Sequence, residues 1–167
     1  MPRLFVAAAL PDDVLDRIEA LPRPDEPGVR WTTRPQWHVT VRFLGEADLD
    51  EAIAALAGLV APVAVAELGP VVSRLGRNVV CLPVAGLDEL AAAVGAATAV
   101  VGEPVDPRPF AGHVTLARLR NRAACGVTGT RFEASFAVTE VQLVRSSLTA
   151  TGPVYTVEAR RPLGSGP

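Results

Sequence analysis

Only two histidines occur among the 167 residues of the chain, and each begins the same tripeptide, His-Val-Thr. His38 starts the segment HVTVRF, and His113 starts the segment HVTLAR. Alternate side chains of an extended strand share a face, so each histidine should lie beside the threonine two residues later, Thr40 or Thr115, about 7 Å along the strand. If the two strands lie side by side, two imidazoles and two hydroxyls converge on one cleft.

That set of groups suits hydrolysis of a phosphodiester. Displacement at phosphorus needs a base for the attacking oxygen and an acid for the leaving oxygen, and an imidazole with a pKa of about 6.5 can serve as either near neutral pH. Threonine hydroxyls can donate hydrogen bonds to the non-bridging oxygens. The arrangement requires no metal and no cofactor. A hydrogen-bonded core position explains either histidine alone equally well, and strand propensity also explains the threonines, so the interpretation depends on the pair.

Three more residues are candidates for substrate binding: Arg42, Arg118 and Phe5. Regular alternation places Arg42 on the face of the first histidine, where the alternative is a solvated strand arginine. Arg118 falls on the face opposite the second histidine and reaches the cleft only if the strand is bulged or the side chain curls over its end. Phe5, Trp31 and Trp37 have rings able to stack on a nucleobase, although each also fits a core position.

Composition excludes several classes of function. All sixteen basic residues are arginine, which excludes a lysine-dependent P-loop or Schiff base. The net charge of −2 argues against a protein that coats nucleic acid, but not against one that grips a single phosphate. Cys81 and Cys125 lack metal-site spacing and are expected to be reduced thiols in a cytoplasmic protein. The longest apolar stretch, 52–66, is too short to span a bilayer and contains Pro62, so no membrane association is expected.

The segments around the motifs repeat in order. A strand over 3–9 precedes a helix capped by Asp12 or Asp13, and a helix opened by Asp48 and Glu51 follows the first motif strand and runs to about residue 60. The other expected elements are strands at 63–68 and 78–84, a helix within 86–102, the second motif strand, and strands near the C-terminus. Each half therefore contains a strand, a helix and a His-Val-Thr strand, which suggests two related lobes. We expect one bilobal domain over 1–161 and a flexible tail over 162–167.

The chain resembles the two-histidine phosphoesterases, and within them the bacterial and archaeal RNA 2′,3′-cyclic phosphodiesterases, also described as 2′-5′ RNA ligases. Four segments carry the resemblance in the family's order: RLFVAAALPDDV, WHVTVRFLGE, RPFAGHVTLAR and SSLTATGPVYTV. It covers nearly the whole chain apart from the C-terminal tail. One departure is Gly112, which stands where family members often have proline before the second histidine.

The resemblance implies an α+β fold in which two antiparallel sheets, related by pseudo-two-fold symmetry, flank a central cleft and carry helices on their outer faces. It also implies metal-independent hydrolysis of a 2′,3′-cyclic phosphate, on a nucleoside or an RNA end, to a 2′-phosphate. His38 would then be the proton donor and His113 the proton acceptor, with Thr40 and Thr115 binding the phosphate.

Three alternatives stay open at this stage. The two histidines could be ligands of a metal hydrolase, although zinc sites usually need a third protein ligand. The cleft could belong to an RNA-binding module without catalysis. Within the family, ligation or hydrolysis of another cyclic nucleotide could be the activity.

Overall fold

A computed structural model describes residues 1–164 as three α-helices, a short 3₁₀ helix and ten strands. In chain order they are β1 (Arg3–Ala9), α1 (Asp12–Glu19), β2 (Val29–Trp31), the 3₁₀ helix (Arg34–Gln36), β3 (His38–Glu46), α2 (Leu49–Ala57), β4 (Ala64–Leu68), β5 (Ser73–Leu75), β6 (Val79–Ala85), α3 (Asp88–Ala97), β7 (His113–Leu119), β8 (Ala134–Val138), β9 (Glu140–Thr149) and β10 (Gly152–Pro162).

The strands form two antiparallel sheets. The first sheet has the order β10-β9-β1-β3, and the second has the order β2-β7-β6-β4-β8, with β5 paired to β6. Each His-Val-Thr strand pairs with the strand that precedes the helix before it: β3 with β1, and β7 with β6. The repeated order in the sequence therefore reflects a repeated pairing, and the predicted α+β class with two antiparallel sheets is confirmed.

The helices cover the faces that the motif histidines do not use. Helix α3 packs against β3, and Thr98 at its end contacts Arg42 on the face opposite His38. Ile18 of α1 lines a small cavity with Leu116 of β7, on the core side of the second sheet. The alternating valines and leucines of both motif strands enter one continuous hydrophobic core, so burial of these side chains leaves the other face of each strand for polar groups.

Of the two helix N-caps predicted from the sequence, the structure contains one. The Asp48 side chain accepts a hydrogen bond from the Glu51 amide, as the capping pattern predicts. Neither Asp12 nor Asp13 caps α1, because Pro11 occupies the N-cap position without a side-chain bond. Helix α1 needs no side-chain cap at this position because the proline nitrogen has no hydrogen that would lack a partner. The two aspartates also lie in the first turn, where the helix dipole favours negative charge.

The predicted start of the C-terminal tail is corrected by the structure. Pro162 still belongs to β10, Leu163 is buried, and the backbone amides of Leu163 and Gly164 donate to Thr139 and Ala61. An apolar side chain with a core position holds the chain to residue 164. The rest of the predicted tail, residues 165–167, lies outside the described residues.

Candidate active site

His38 begins β3 within a group of aromatic rings. The Phe5 ring stacks on the imidazole at a centroid distance of 4.8 Å and an angle of 25°, and Tyr155 meets both rings edge-on at 5.2 Å. The Nε2 atom of His38 lies 2.9 Å from the hydroxyl oxygen of Thr40, on the same face of the strand. The first predicted pair is therefore one hydrogen-bonded unit, held against the small cluster of Phe5, Ala7, Val144 and Tyr155.

Burial under these rings lowers the pKa of His38 to about 4. Removal from water disfavours the imidazolium form, and a hydrogen bond to the backbone of Gln36 only partly compensates. The charge of His113 is a smaller cause, which also lowers the pKa of His38. Without a ligand, His38 is therefore neutral at pH 7.

His113 begins β7, and its hydrogen bond determines its tautomer. The Nδ1 atom lies 2.8 Å from the carbonyl oxygen of Ala111. Because a carbonyl can only accept, Nδ1 must carry the hydrogen, and Nε2 of the neutral ring is then an unprotonated base. The preceding residue, Gly112, passes so close to β6 that an added Cβ would lie 2.6 Å from the carbonyl oxygen of Val84. Glycine at this position therefore allows the strand to begin pairing immediately before the histidine.

A hydrogen-bond chain joins the two motifs, and sequence reasoning missed it. The hydroxyl of Thr32 lies 2.8 Å from the carbonyl oxygens of both Thr115 and Leu116, and it accepts a hydrogen bond from the indole nitrogen of Trp37 at 3.0 Å. Trp37 is the residue before His38 and is buried. The start of the first motif is thereby attached to the backbone of the second. Only the pairing of β2 with β7 brings Thr32 to this place, so no local pattern indicates it.

Arg42 does not share the face of His38, and that prediction is wrong. The register of β1 with β3 shifts between Thr40 and Arg42, which leaves Val41 as the extra residue of a β-bulge. Arg42 therefore turns into the core side and is only 6 % exposed. Its guanidinium donates to the hydroxyl of Thr98 and to the backbone carbonyls of Glu103 and Pro104, a structural role that ties the loop after α3 to β3.

Arg118 lies on the same face of β7 as His113 and Thr115, because the second motif strand has the same irregularity. Cys81 pairs with Thr115 and Val80 pairs with Ala117, so Leu116 is the extra residue, and Arg118 returns to the face of His113. The sequence predicts that Arg118 shares the face of His113 only if this strand is bulged, and the bulge is present. The bulges lie three residues after each histidine, so Phe43 and Arg118 occupy corresponding positions of the two motifs, as do Arg42 and Ala117.

The aromatic candidates separate into two groups. Phe5 lies on the cleft side, but only 5 % of its surface is exposed because it packs on His38. Trp37 is a core residue and Trp31 packs against the same core, so both tryptophans take the core position that the sequence also allowed. Thr115 and His113 are both partly exposed on the same face of β7.

Two further observations concern metals and membranes. Among residues 1–164, no three histidine, cysteine, aspartate or glutamate side chains come together as a set that could hold a metal ion. The helices described for this part of the chain are all too short to cross a membrane.

Two antiparallel sheets with one His-x-Thr motif on each are the architecture of a two-histidine phosphoesterase. The chain belongs to the 2′-5′ RNA ligase superfamily, whose family model matches residues 9–149. It is 32 % identical to a Geobacillus stearothermophilus protein named RNA 2′,3′-cyclic phosphodiesterase, over 82 % of this chain. The match covers 48 % of that relative, so the chain spans about half the length of the curated relative.

Solved structures of similar length share the fold. A Thermus thermophilus protein superposes with a TM-score of 0.76 and 31 % identity, covering 96 % of this chain and 97 % of that one. Escherichia coli LigT in complex with 3′-AMP gives a TM-score of 0.78 and 32 % identity, covering 98 % and 99 %. The predicted family and fold are thereby confirmed.

Proposed function

We propose that this protein hydrolyses 2′,3′-cyclic phosphates of nucleosides or RNA ends to 2′-phosphates by acid–base catalysis between His38 and His113. The observation that carries the proposal is that β3 and β7, which begin with the two histidines, contact each other, and that Thr32 links Trp37, the residue before His38, to the backbone of Thr115 and Leu116. The name of the Geobacillus relative and the nucleotide bound to E. coli LigT support a nucleotide substrate.

His113 suits the role of proton acceptor. Its Nδ1 hydrogen is held by the Ala111 carbonyl, so Nε2 is free to take a proton from water. The resulting hydroxide oxygen forms a bond to phosphorus as the bond from phosphorus to the 3′-oxygen breaks. The charge on the non-bridging oxygens is met by the hydroxyls of Thr40 and Thr115 and by the guanidinium of Arg118.

His38 suits the role of proton donor only when the substrate is bound. Its pKa of about 4 leaves about one molecule in a thousand protonated at pH 7 in the free protein. A phosphate anion about 4 Å away contributes about 4 kcal/mol of attraction for the imidazolium, which is enough to offset the burial. Binding of the substrate therefore favours protonation of His38. Its Nε2 then gives the proton to the 3′-oxygen as that oxygen leaves phosphorus.

The test is incubation of the purified protein with adenosine 2′,3′-cyclic phosphate, with the position of the product phosphate read by phosphorus NMR. We expect the 2′-phosphate, formed at the same rate in the presence of a strong chelator. His38→Ala and His113→Ala should each lower kcat by about 10²- to 10⁴-fold while the circular dichroism spectrum and Tm are retained.

The same experiment separates the alternatives. A non-catalytic RNA-binding module would bind oligonucleotides without releasing product, and a metal hydrolase would be inhibited by the chelator. A ligase would instead join a 2′,3′-cyclic end to a 5′-hydroxyl end, with that hydroxyl taking the place of water and the two histidines keeping their roles. A His38→Ala or His113→Ala protein with near-normal turnover would contradict the paired mechanism.

A further inference from the structure

Unpaired arginines are concentrated at one end of the second sheet. Within residues 1–164, eleven of the sixteen arginines contact a carboxylate, a carbonyl oxygen, a hydroxyl or an aromatic ring. The remaining five have no salt bridge, hydrogen bond or ring contact in that range: Arg30, Arg77, Arg118, Arg120 and Arg122. All five lie on β2, on the turn before β6, or at the end of β7 and just beyond it.

Three of these residues, Arg30, Arg118 and Arg120, line a cavity of about 400 Å³, which we call the arginine pocket. Arg30 and Arg118 are directly opposite each other in the pairing of β2 with β7. Like charges at such a position destabilise a sheet, and no carboxylate lines this cavity to offset them. A protein with a net charge of −2 thus keeps uncompensated positive charge in one place, as an anion-binding site requires.

The arginine pocket adjoins the catalytic face. Arg118 is on the same side of β7 as Thr115, and their partners on β6, Val79 and Cys81, are two residues apart, so about 7 Å separates them along the strand. That spacing is comparable to the distance between neighbouring phosphates of an extended oligonucleotide.

Arg30 also reaches across to the first sheet. Its guanidinium lies so near Gly152, at the start of β10, that an added Cβ there would be 2.8 Å from Nη2. Gly152 is three residues, about 10 Å, from Tyr155, whose ring contacts His38. Strands of both sheets therefore connect the arginine pocket to the motifs: β7 through Thr115, and β10 through Tyr155.

We propose that the arginine pocket binds the phosphodiester at the 5′-oxygen of the terminal nucleoside, so that the protein acts on oligoribonucleotides ending in a 2′,3′-cyclic phosphate in preference to mononucleotides. The proposal rests on the proposed function and specifies its substrate class. Arg30 and Arg120 contact the second phosphate, and Arg118 lies between it and the reacting phosphorus. Planar guanidinium groups form paired hydrogen bonds with phosphate oxygens, which makes arginine well suited to this site.

The test compares three substrates: adenosine 2′,3′-cyclic phosphate, the same compound with a 5′-phosphate, and the dinucleotide ApA with a 2′,3′-cyclic end. We expect kcat/KM to be about tenfold higher for the second and third than for the first, since each offers the additional charged hydrogen bonds. Arg30→Gln should remove most of that advantage, leave turnover of adenosine 2′,3′-cyclic phosphate unchanged, and reduce the salt dependence of log kcat/KM for the dinucleotide by about one unit of slope.

Arg122→Gln is the matched control, because it removes the same charge at the same end of the sheet from a residue that does not line the cavity. It should leave the substrate preference intact. Equal kcat/KM for all three substrates, an equal loss for all three in Arg30→Gln, or an effect of Arg122→Gln as large as that of Arg30→Gln would overturn the proposal. A gain for the dinucleotide without a gain for the 5′-phosphorylated compound would also overturn it, since the second nucleoside would then be what is recognised. Failure of the proposed function is recognised separately, as absence of turnover with all three substrates.

Discussion

Replacement of Phe5 by alanine should raise the pKa of His38. The phenyl ring stacks directly on the imidazole and, with Tyr155, excludes water from it. Because burial is the largest cause of the low pKa, opening one side of the ring to solvent stabilises the imidazolium form. The hydrogen bonds of His38 to Thr40 and to the backbone of Gln36 do not involve Phe5 and should remain.

The size of the expected pKa change in Phe5→Ala follows from how far the pKa of His38 is lowered in the wild-type protein. A pKa lowered from 6.5 to about 4 corresponds to about 3 kcal/mol of discrimination against the charged ring. Phe5 is one of two rings that cover the imidazole, so Phe5→Ala should recover roughly half of this, a rise of about one pKa unit. In the wild-type protein the unfolded chain binds a proton below about pH 6.5 that folded His38 does not bind until about pH 4. The free energy of unfolding should therefore decrease as the pH falls through this window, and decrease less in Phe5→Ala.

The chain offers a direct assay, because only two imidazole signals are present. NMR titration of the ring Cε1 protons from pH 3 to 8, with His113→Gln to assign the signals, gives the pKa of His38 in both proteins. Phe43→Ala is the matched control, since Phe43 lies on the same strand under the Arg3 guanidinium and makes no ring contact with His38. A His38 that titrates near 6.5 in the wild-type protein, or an unchanged pKa in Phe5→Ala, would refute the reasoning.

Two more substitutions test the geometry of the site. Gly112→Ala should lower kcat by about a hundredfold, because the new Cβ would meet the Val84 carbonyl at 2.6 Å and displace the start of β7. Gly58→Ala is the control: its new Cβ would have its nearest contact at an ordinary 3.4 Å, so turnover of the 2′,3′-cyclic nucleotide should be unchanged. Arg42→Met should lower the free energy of unfolding measured in urea by about 2 kcal/mol, since it leaves the buried hydroxyl of Thr98 and the partly buried carbonyls of Glu103 and Pro104 without their donor. The kcat measured below the unfolding transition should stay near the wild-type value. A large loss of kcat at unchanged stability would instead place Arg42 in contact with substrate.

The repeated tripeptide was sufficient to predict which residues form the two histidine–threonine pairs. Period-two alternation puts His38 with Thr40, and His113 with Thr115, on one face whatever the rest of the chain does. The valines between them have no alternative to the core, so the orientation of each strand start is fixed by burial. The same alternation failed for Arg42, because one extra residue in a strand exchanges the two faces for everything that follows.

Sequence by itself determined the chemical groups of the site and their local spacing, because strand geometry repeats every two residues. Tertiary structure decided which distant groups join them. The bulges at Val41 and Leu116 depend on pairing with β1 and β6, and they send Arg42 into the core and Arg118 to the face of His113. The rings over His38 come from strands at opposite ends of the chain, and their burial of the imidazole, which sets its pKa, exists only once β1 and β10 have been brought into one sheet.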